Sequence, residues 1–145
     1  MDPLSATANI VAVLVVSIQS CSFLVKFFRD LADAPPEVRH NAIWLGILHS
    51  TFGELRSLVV DPRFGDVQAQ LPVGFASRLA DCQAGLGEME ARIRRIDRDL
   101  RGGRMLQTWT KVKYSLTSEQ LLAKFSGRIQ LYQSAFTVDL ITIQL

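Results

Sequence analysis

The pattern of apolar and polar positions is dominated by the first segment, residues 4–25, which carries no formal charge between Asp2 and Lys26. Residues 10–16 form an unbroken apolar run within it. A surface helix of a small domain has one apolar stripe and one polar face, whereas this segment is apolar on nearly every side. It therefore predicts the central helix of a bundle, a membrane-seeking helix, or one helix that serves as each in a different state.

Three further segments repeat apolar residues at steps of three and four, the spacing of amphipathic helices. The most regular lies within residues 75–100, where steps of four and three alternate as in a coiled-coil-like seam. We therefore predict an all-α fold, a helical bundle of four long helices plus one short helix, with the first helix central. The bundle is a single domain over residues 1–145. The predicted helices span residues 4–32, 36–60, 73–101, 104–114 and 118–144.

The composition is that of a globular domain, with 48% hydrophobic and 21% charged residues in a chain of 145. Its net charge of +2 is too small to predict a nucleic-acid partner. The first segment is not a predicted secretory signal, because Asp2 stands where a basic residue is needed. Seven Ser, Thr, Asn and Gln residues dilute it at both ends, so we expect the free protein to be soluble. Cys21 and Cys82 lie on apolar stripes and are predicted to be buried, reduced thiols.

No pattern in the chain indicates catalysis. His40 and His49 are nine residues apart on one predicted helix and face different directions, so they do not form a metal pair. Gly85 and Gly87 lie within the third helix and are expected to mark a close contact between helices rather than a phosphate-binding loop. We therefore predict that the protein is not an enzyme and has no catalytic residue, metal site or cofactor.

The one concentration of charge is basic: residues 88–113 contain eight Arg and Lys residues against four acidic ones. One interpretation is a solvated face with ion pairs at i,i+4 spacing, such as Glu88 with Arg92 and Glu90 with Arg94. The other is contact with anionic lipid headgroups, which attract basic residues near a membrane surface. The candidate headgroup contacts are Arg94, Arg95, Arg98, Arg101 and Arg104.

Three stretches carry a resemblance to a known family. They are Met-Asp-Pro-Leu-Ser-Ala-Thr-Ala at 1–8, Asp-Ala-Pro-Pro-Glu-Val at 33–38, and a turn with Trp109 followed by Leu121, Leu122, Phe125, Ile129 and Tyr132. Together they resemble the HeLo-like N-terminal domains of fungal STAND (NOD-like) receptors. The chain departs from that pattern at Asn9, where these domains often have glycine, and in its arginine-rich third helix.

The resemblance implies a cell-death-inducing, signalling domain similar to helical executioner domains. Such domains stay in the cytoplasm until they cluster, and then the N-terminal helix inserts into the plasma membrane and permeabilises it. In fungi this underlies heterokaryon incompatibility and NLR-type immunity. The implied partners are further copies of the chain, anionic membrane lipids, and other domains or proteins of an NLR-type receptor.

The uncharged first helix fits that mechanism, because both a protein core and a bilayer accept a helix that is apolar all round. A charged side chain at the bilayer centre costs about 2.5–3.5 kcal/mol on insertion scales. The residues predicted to contact the membrane after activation are Leu4, Ile10, Val13, Leu14 and Val15. The alternative is a non-membrane adaptor domain, in which the bundle mediates homo- or hetero-oligomerisation of a receptor and the first helix never leaves the core.

Overall fold

The computed structural model describes residues 3–31, 33–65, 70–101 and 120–144, and their side chains except those of residues 3–5 and 99–101. Within these residues the chain forms four long helices and no strand, so the predicted all-α bundle is confirmed. The helices are α1 (Pro3–Asp30), α2 (Pro36–Val60), α3 (Phe75–Arg101) and α4 (Leu121–Gln144), with a 3-10 turn at Pro62–Phe64. The short helix predicted at 104–114 lies outside the described residues.

The second helix has the predicted bounds of 36–60, whereas the end of α1 and the starts of α3 and α4 differ from the predicted ones by two or three residues. The first helix ends before residue 32, because Asp33 adopts a left-handed backbone with φ of 63°. Pro36 opens α2, where a missing amide proton costs no helical hydrogen bond. The third helix begins after Gly74, whose φ is 79°. Gln120, with φ of 56°, precedes the start of α4.

The helices are arranged in a ring in the order α1, α2, α4, α3. The contacts of α1 are with α2 and, to a lesser extent, α3, and α2 also packs against α4. Helices α2 and α4 run parallel, because Asn41 pairs with Ser126 near their beginnings and Phe52 contacts Phe136 further along.

Helices α3 and α4 are antiparallel and are joined by two ion pairs. Arg78 near the start of α3 lies 2.7 Å from Asp139 near the end of α4. Glu88 accepts a hydrogen bond from Arg128 at 3.2 Å. The side chain of Asp139 is only 9% exposed, so this carboxylate depends on its arginine partner for compensation.

Aromatic rings connect three of the four helices in the core. The ring of Phe136 in α4 lies 5.1 Å from that of Phe52 in α2 and 5.8 Å from that of Phe75 in α3, both edge to face. Such pairs contribute about 0.5–1.5 kcal/mol each beyond the area they bury. All three rings are buried, so Phe136 fixes the position of α4 against its two neighbours.

The first helix, predicted to be central, contributes one face to this core. Its inward side chains are fully buried, and they include Leu14, Leu24 and Phe28. Its outward strip contains Ala8, Ala12, Val16 and Gln19, all exposed. Helix α1 therefore forms one wall of the bundle, with apolar residues on both the covered and the open side.

A close approach between α3 and α4 occurs at Gly85. A Cβ atom at this position would overlap the hydroxyl of Tyr132 and lie 3.1 Å from its Cζ. The expectation that this glycine marks a contact between helices is therefore confirmed. Gly87, two residues further on, has nothing within 4 Å of the same position, so the expectation was wrong for that glycine.

Replacing the two glycines separately should give opposite results. Gly87→Ala should stabilise the bundle by up to ~1 kcal/mol, because alanine favours the helix. Gly85→Ala gains the same propensity but must displace the Tyr132 ring, and overpacking costs ~1–3 kcal/mol. We expect Gly85→Ala to be about 2 kcal/mol less stable than Gly87→Ala in urea unfolding. Equal stabilities would show that Tyr132 moves aside without cost.

Candidate functional site

Helix α1 is the candidate functional element, because its length and composition suffice to cross a membrane. The segment Ala6–Asp30 spans 25 residues and contains an 18-residue window with a mean hydropathy of 2.1, and about 20 apolar residues cross a bilayer. It is the one helix with this property among the described residues. A buried core helix of a soluble protein can have the same composition, so the surroundings of α1 decide what it can do.

The residues predicted to contact the membrane lie mostly against the core in this structure. Ile10 is 8% exposed and Leu14 is fully buried. Val13 is half-buried against the core and Val15 is half-buried beside the exposed strip. Leu4 lies in α1, and its side chain is outside the described part. Membrane contact through Ile10 or Leu14 therefore requires α1 to leave α2 and α3.

The buried face of α1 also carries polar side chains that sequence reasoning assigned to its ends. Ser17 is fully buried and Ser20 is 5% exposed. The Ser17 hydroxyl has no hydrogen-bond partner among the described residues, and an unsatisfied buried polar group costs about 1–3 kcal/mol. The signal was present in the sequence, because Ser17 lies at helical spacing between the buried residues Leu14 and Cys21.

The N-terminal end of α1 borders an open apolar groove of about 550 Å³. Ala6 and Ile10 line it from α1, and Pro72, Val73 and Phe75 line it from the segment that leads into α3. Val73 is almost completely exposed, at 98%. This end of α1 therefore faces an open groove that is completed by residues 71–74 and by the first turn of α3.

The arginines predicted to contact lipid headgroups differ in their surroundings. Arg94, Arg95 and Arg98 are exposed on α3. Arg94 donates from Nε to Glu90 at 2.7 Å, and its guanidinium carbon lies 3.9 Å from the centroid of the Phe23 ring in α1. Arg101 belongs to α3 with its side chain outside the described part, and Arg104 lies outside the described residues.

Ion pairing on α3 follows the predicted i,i+4 pattern in two cases. The pair of Glu90 with Arg94 is close, and Arg92 lies 3.9 Å from Glu88, which also binds Arg128 of α4. Most of these side chains are well exposed, so each pair contributes only a few tenths of a kcal/mol. The basic face is therefore both ion-paired and accessible to solvent, and the two interpretations of the sequence do not exclude each other.

The cysteines are free and buried, as predicted. Burial raises the pKa of the Cys82 thiol, which keeps it protonated and unreactive at neutral pH. Among the described residues, no group of three or more His, Cys, Asp or Glu side chains is placed to hold a metal ion.

No model of a known protein family, no curated protein and no solved structure matches this chain. The resemblance to HeLo-like domains therefore rests on the sequence stretches at 1–8 and 33–38 and on the apolar pattern that follows Trp109. It stays a prediction.

Removing the Ser17 hydroxyl should stabilise the bundle. Ser17→Ala deletes a buried group that lacks a partner, whereas Ser22→Ala makes the same change at an exposed position of the same helix. Both variants gain the same helix propensity. We expect Ser17→Ala to exceed Ser22→Ala by about 1 kcal/mol in the free energy of unfolding, measured by urea denaturation. Matching gains would mean that the Ser17 hydroxyl is satisfied in solution.

Proposed function

We propose that this bundle is a membrane-permeabilising domain of the HeLo-like kind, which induces cell death when α1 leaves the core and enters a membrane. The observation that carries the proposal is that α1 has the properties of both a core helix and a membrane-spanning helix. It packs its inner face into the core, and it is also the described helix whose length and apolar composition suffice to span a bilayer.

The transfer of α1 is supported by the chemistry of its surfaces. Its buried face moves from a protein core to hydrocarbon, and both are apolar. Its exposed strip, which includes Ala12 and Val16, leaves water, and this transfer is favourable by about 25 cal/mol for each Å² of apolar surface removed. No charged residue lies between Ala6 and Val25, so the central part of the span avoids the cost of an ionised group in the bilayer.

The state of α1 in the soluble bundle also favours release. The unpartnered hydroxyl of Ser17 lowers the stability of the buried arrangement. The groove beside Ala6 and Ile10 leaves the N-terminal end of α1 with an incomplete cover, which provides a place where separation from α3 can begin.

Departure of α1 would expose the faces of α2 and α3 that it covers in the bundle. These faces form part of the buried apolar core of the bundle. Exposed apolar patches of this kind drive association between proteins. Self-association of opened copies at a membrane surface is therefore part of the proposal, as is the move from cytoplasm to plasma membrane.

The proposal is tested by placing a charge on the exposed strip of α1. Val16 is 43% exposed, so Val16→Asp should leave the soluble fold intact, whereas a charge at the buried Leu14 would unfold it. An aspartate in the middle of a membrane helix costs about 3 kcal/mol. We expect Val16→Asp to lower dye leakage from anionic vesicles ~100-fold.

Ile43→Asp is the matched control, because Ile43 is 58% exposed on α2 and takes no part in the proposed insertion. The Ile43→Asp variant should cause as much dye leakage from the vesicles as the wild-type protein does. Circular dichroism should show that both variants are folded. Equal leakage by Val16→Asp and the wild-type protein would refute insertion of α1. A wild-type protein that stays in the supernatant with anionic vesicles at physiological salt would favour the adaptor instead.

A further inference from the structure

Arg94 joins the basic face of α3 to α1. Its guanidinium carbon lies 3.9 Å from the centroid of the Phe23 ring, which is half-buried against the core. Its Nε atom donates to Glu90 Oε2 at 2.7 Å, which holds the guanidinium in place. A cation over an aromatic face is attracted by the quadrupole of the ring. One arginine therefore both faces solvent and contributes to the contact between α3 and α1.

We propose that Arg94 is a phosphate-responsive clasp on α1. When the phosphate of an anionic lipid headgroup pairs with its guanidinium, the contact with Phe23 weakens and α1 separates more easily from α3. The inference rests on the proposed function and adds to it a coupling between arrival at the membrane and release of the helix.

The chemistry of the guanidinium supports this coupling. Its planar fork binds phosphate through two parallel hydrogen bonds, which are stronger than its single bond to Glu90. The Arg94 side chain is 58% exposed, so a phosphate can reach it. A phosphate that pairs with the guanidinium adds a second negative charge beside that of Glu90 and weakens the attraction between the guanidinium and the Phe23 ring. One that displaces Glu90 also removes the hydrogen bond that keeps the guanidinium over that ring.

The neighbouring charges favour a lipid surface as the source of the phosphate. Arg95 and Arg98 are exposed on the same helix, and basic residues close to an anionic membrane are attracted to it additively. A membrane presents many phosphates at once, so several arginines of one face can be engaged together. A single free phosphate ion lacks this advantage.

The contact between Arg94 and Phe23 is weak, so it shifts the equilibrium between packed and released α1 but does not by itself prevent release. A cation over an aromatic ring at an exposed site changes an equilibrium by about two- to fivefold. A ligand shifts an equilibrium only by its differential affinity for the two states. Phosphate binding at Arg94 should therefore raise the fraction of protein with α1 released by a similar factor.

The contact itself is tested in solution by a double-mutant cycle with Phe23→Leu and Arg94→Gln. The readout is hydrogen exchange of the α1 amides. We expect Arg94→Gln to raise the exchange two- to fivefold in the wild-type background and to have no further effect in the Phe23→Leu background. The control Arg95→Gln removes a charge from the adjacent position and should leave α1 exchange unchanged. Additive effects of the two substitutions would overturn the clasp.

The response to phosphate is tested with the folded wild-type protein and Arg94→Gln on two kinds of vesicle. Vesicles of phosphatidylcholine with phosphatidylglycerol should raise α1 exchange in the wild-type protein more than phosphatidylcholine alone, and Arg94→Gln should lose most of that difference. If Arg95→Gln loses the difference in α1 exchange between the two kinds of vesicle to the same extent, a specific role for Arg94 is overturned. An equal rise with inorganic phosphate at matched ionic strength would overturn the assignment to lipid.

These readouts separate the clasp from the proposed function. The cycle measures contact between Arg94 and Phe23 without a membrane, whereas the leakage of Val16→Asp measures insertion without reference to Arg94. If the Arg94 and Phe23 substitutions are coupled in the cycle but the wild-type protein causes no leakage from vesicles, insertion is rejected and the clasp is retained. If leakage depends on Val16 but the effects of the Arg94 and Phe23 substitutions are additive, the clasp is rejected and insertion is retained.

Discussion

The structure depends on how an apolar helix is covered in water. Residues of α1 are apolar on nearly every side, but among the described residues the ring of four helices places mainly α2 and α3 against it. One face is therefore buried among leucine and phenylalanine side chains, and another, with Ala12 and Val16, remains in solvent. The hydrophobic effect holds the helix in place and at the same time leaves part of its apolar surface without cover.

The core that holds α1 is not uniformly apolar. Ser17 Oγ, Asn41 Nδ2 and Asp139 Oδ2 are buried without hydrogen-bond partners among the described residues, and most buried polar atoms in native proteins have one. Each such atom reduces the stability of a small bundle, whose total is only ~5–15 kcal/mol. Of these three atoms only Ser17 Oγ belongs to α1, so it is the one that weakens the packing of α1 against the rest of the bundle.

The helices were predictable from the sequence because apolar spacing and proline are local signals. The third stripe, beginning at Phe75, and the break at Pro35 and Pro36 needed no tertiary information. The parallel pairing of α2 with α4 was not predictable, because it depends on which helix faces cover one another. The same holds for the contact of Arg94 with Phe23: each residue belongs to a different periodic pattern, and only the ring order of the helices brings them together.

The arrangement of the helices also determines where the two ends of the described chain lie. Helix α1 begins beside the segment that leads into α3, and Phe75 and Arg78 of that region contact Phe136 and Asp139 near the end of α4. Both ends therefore lie at the same end of the bundle. A short peptide joining them, with new termini opened in an exposed loop, would make a circularly permuted protein. Its first helix would be covalently anchored at both ends and could not enter a bilayer end first.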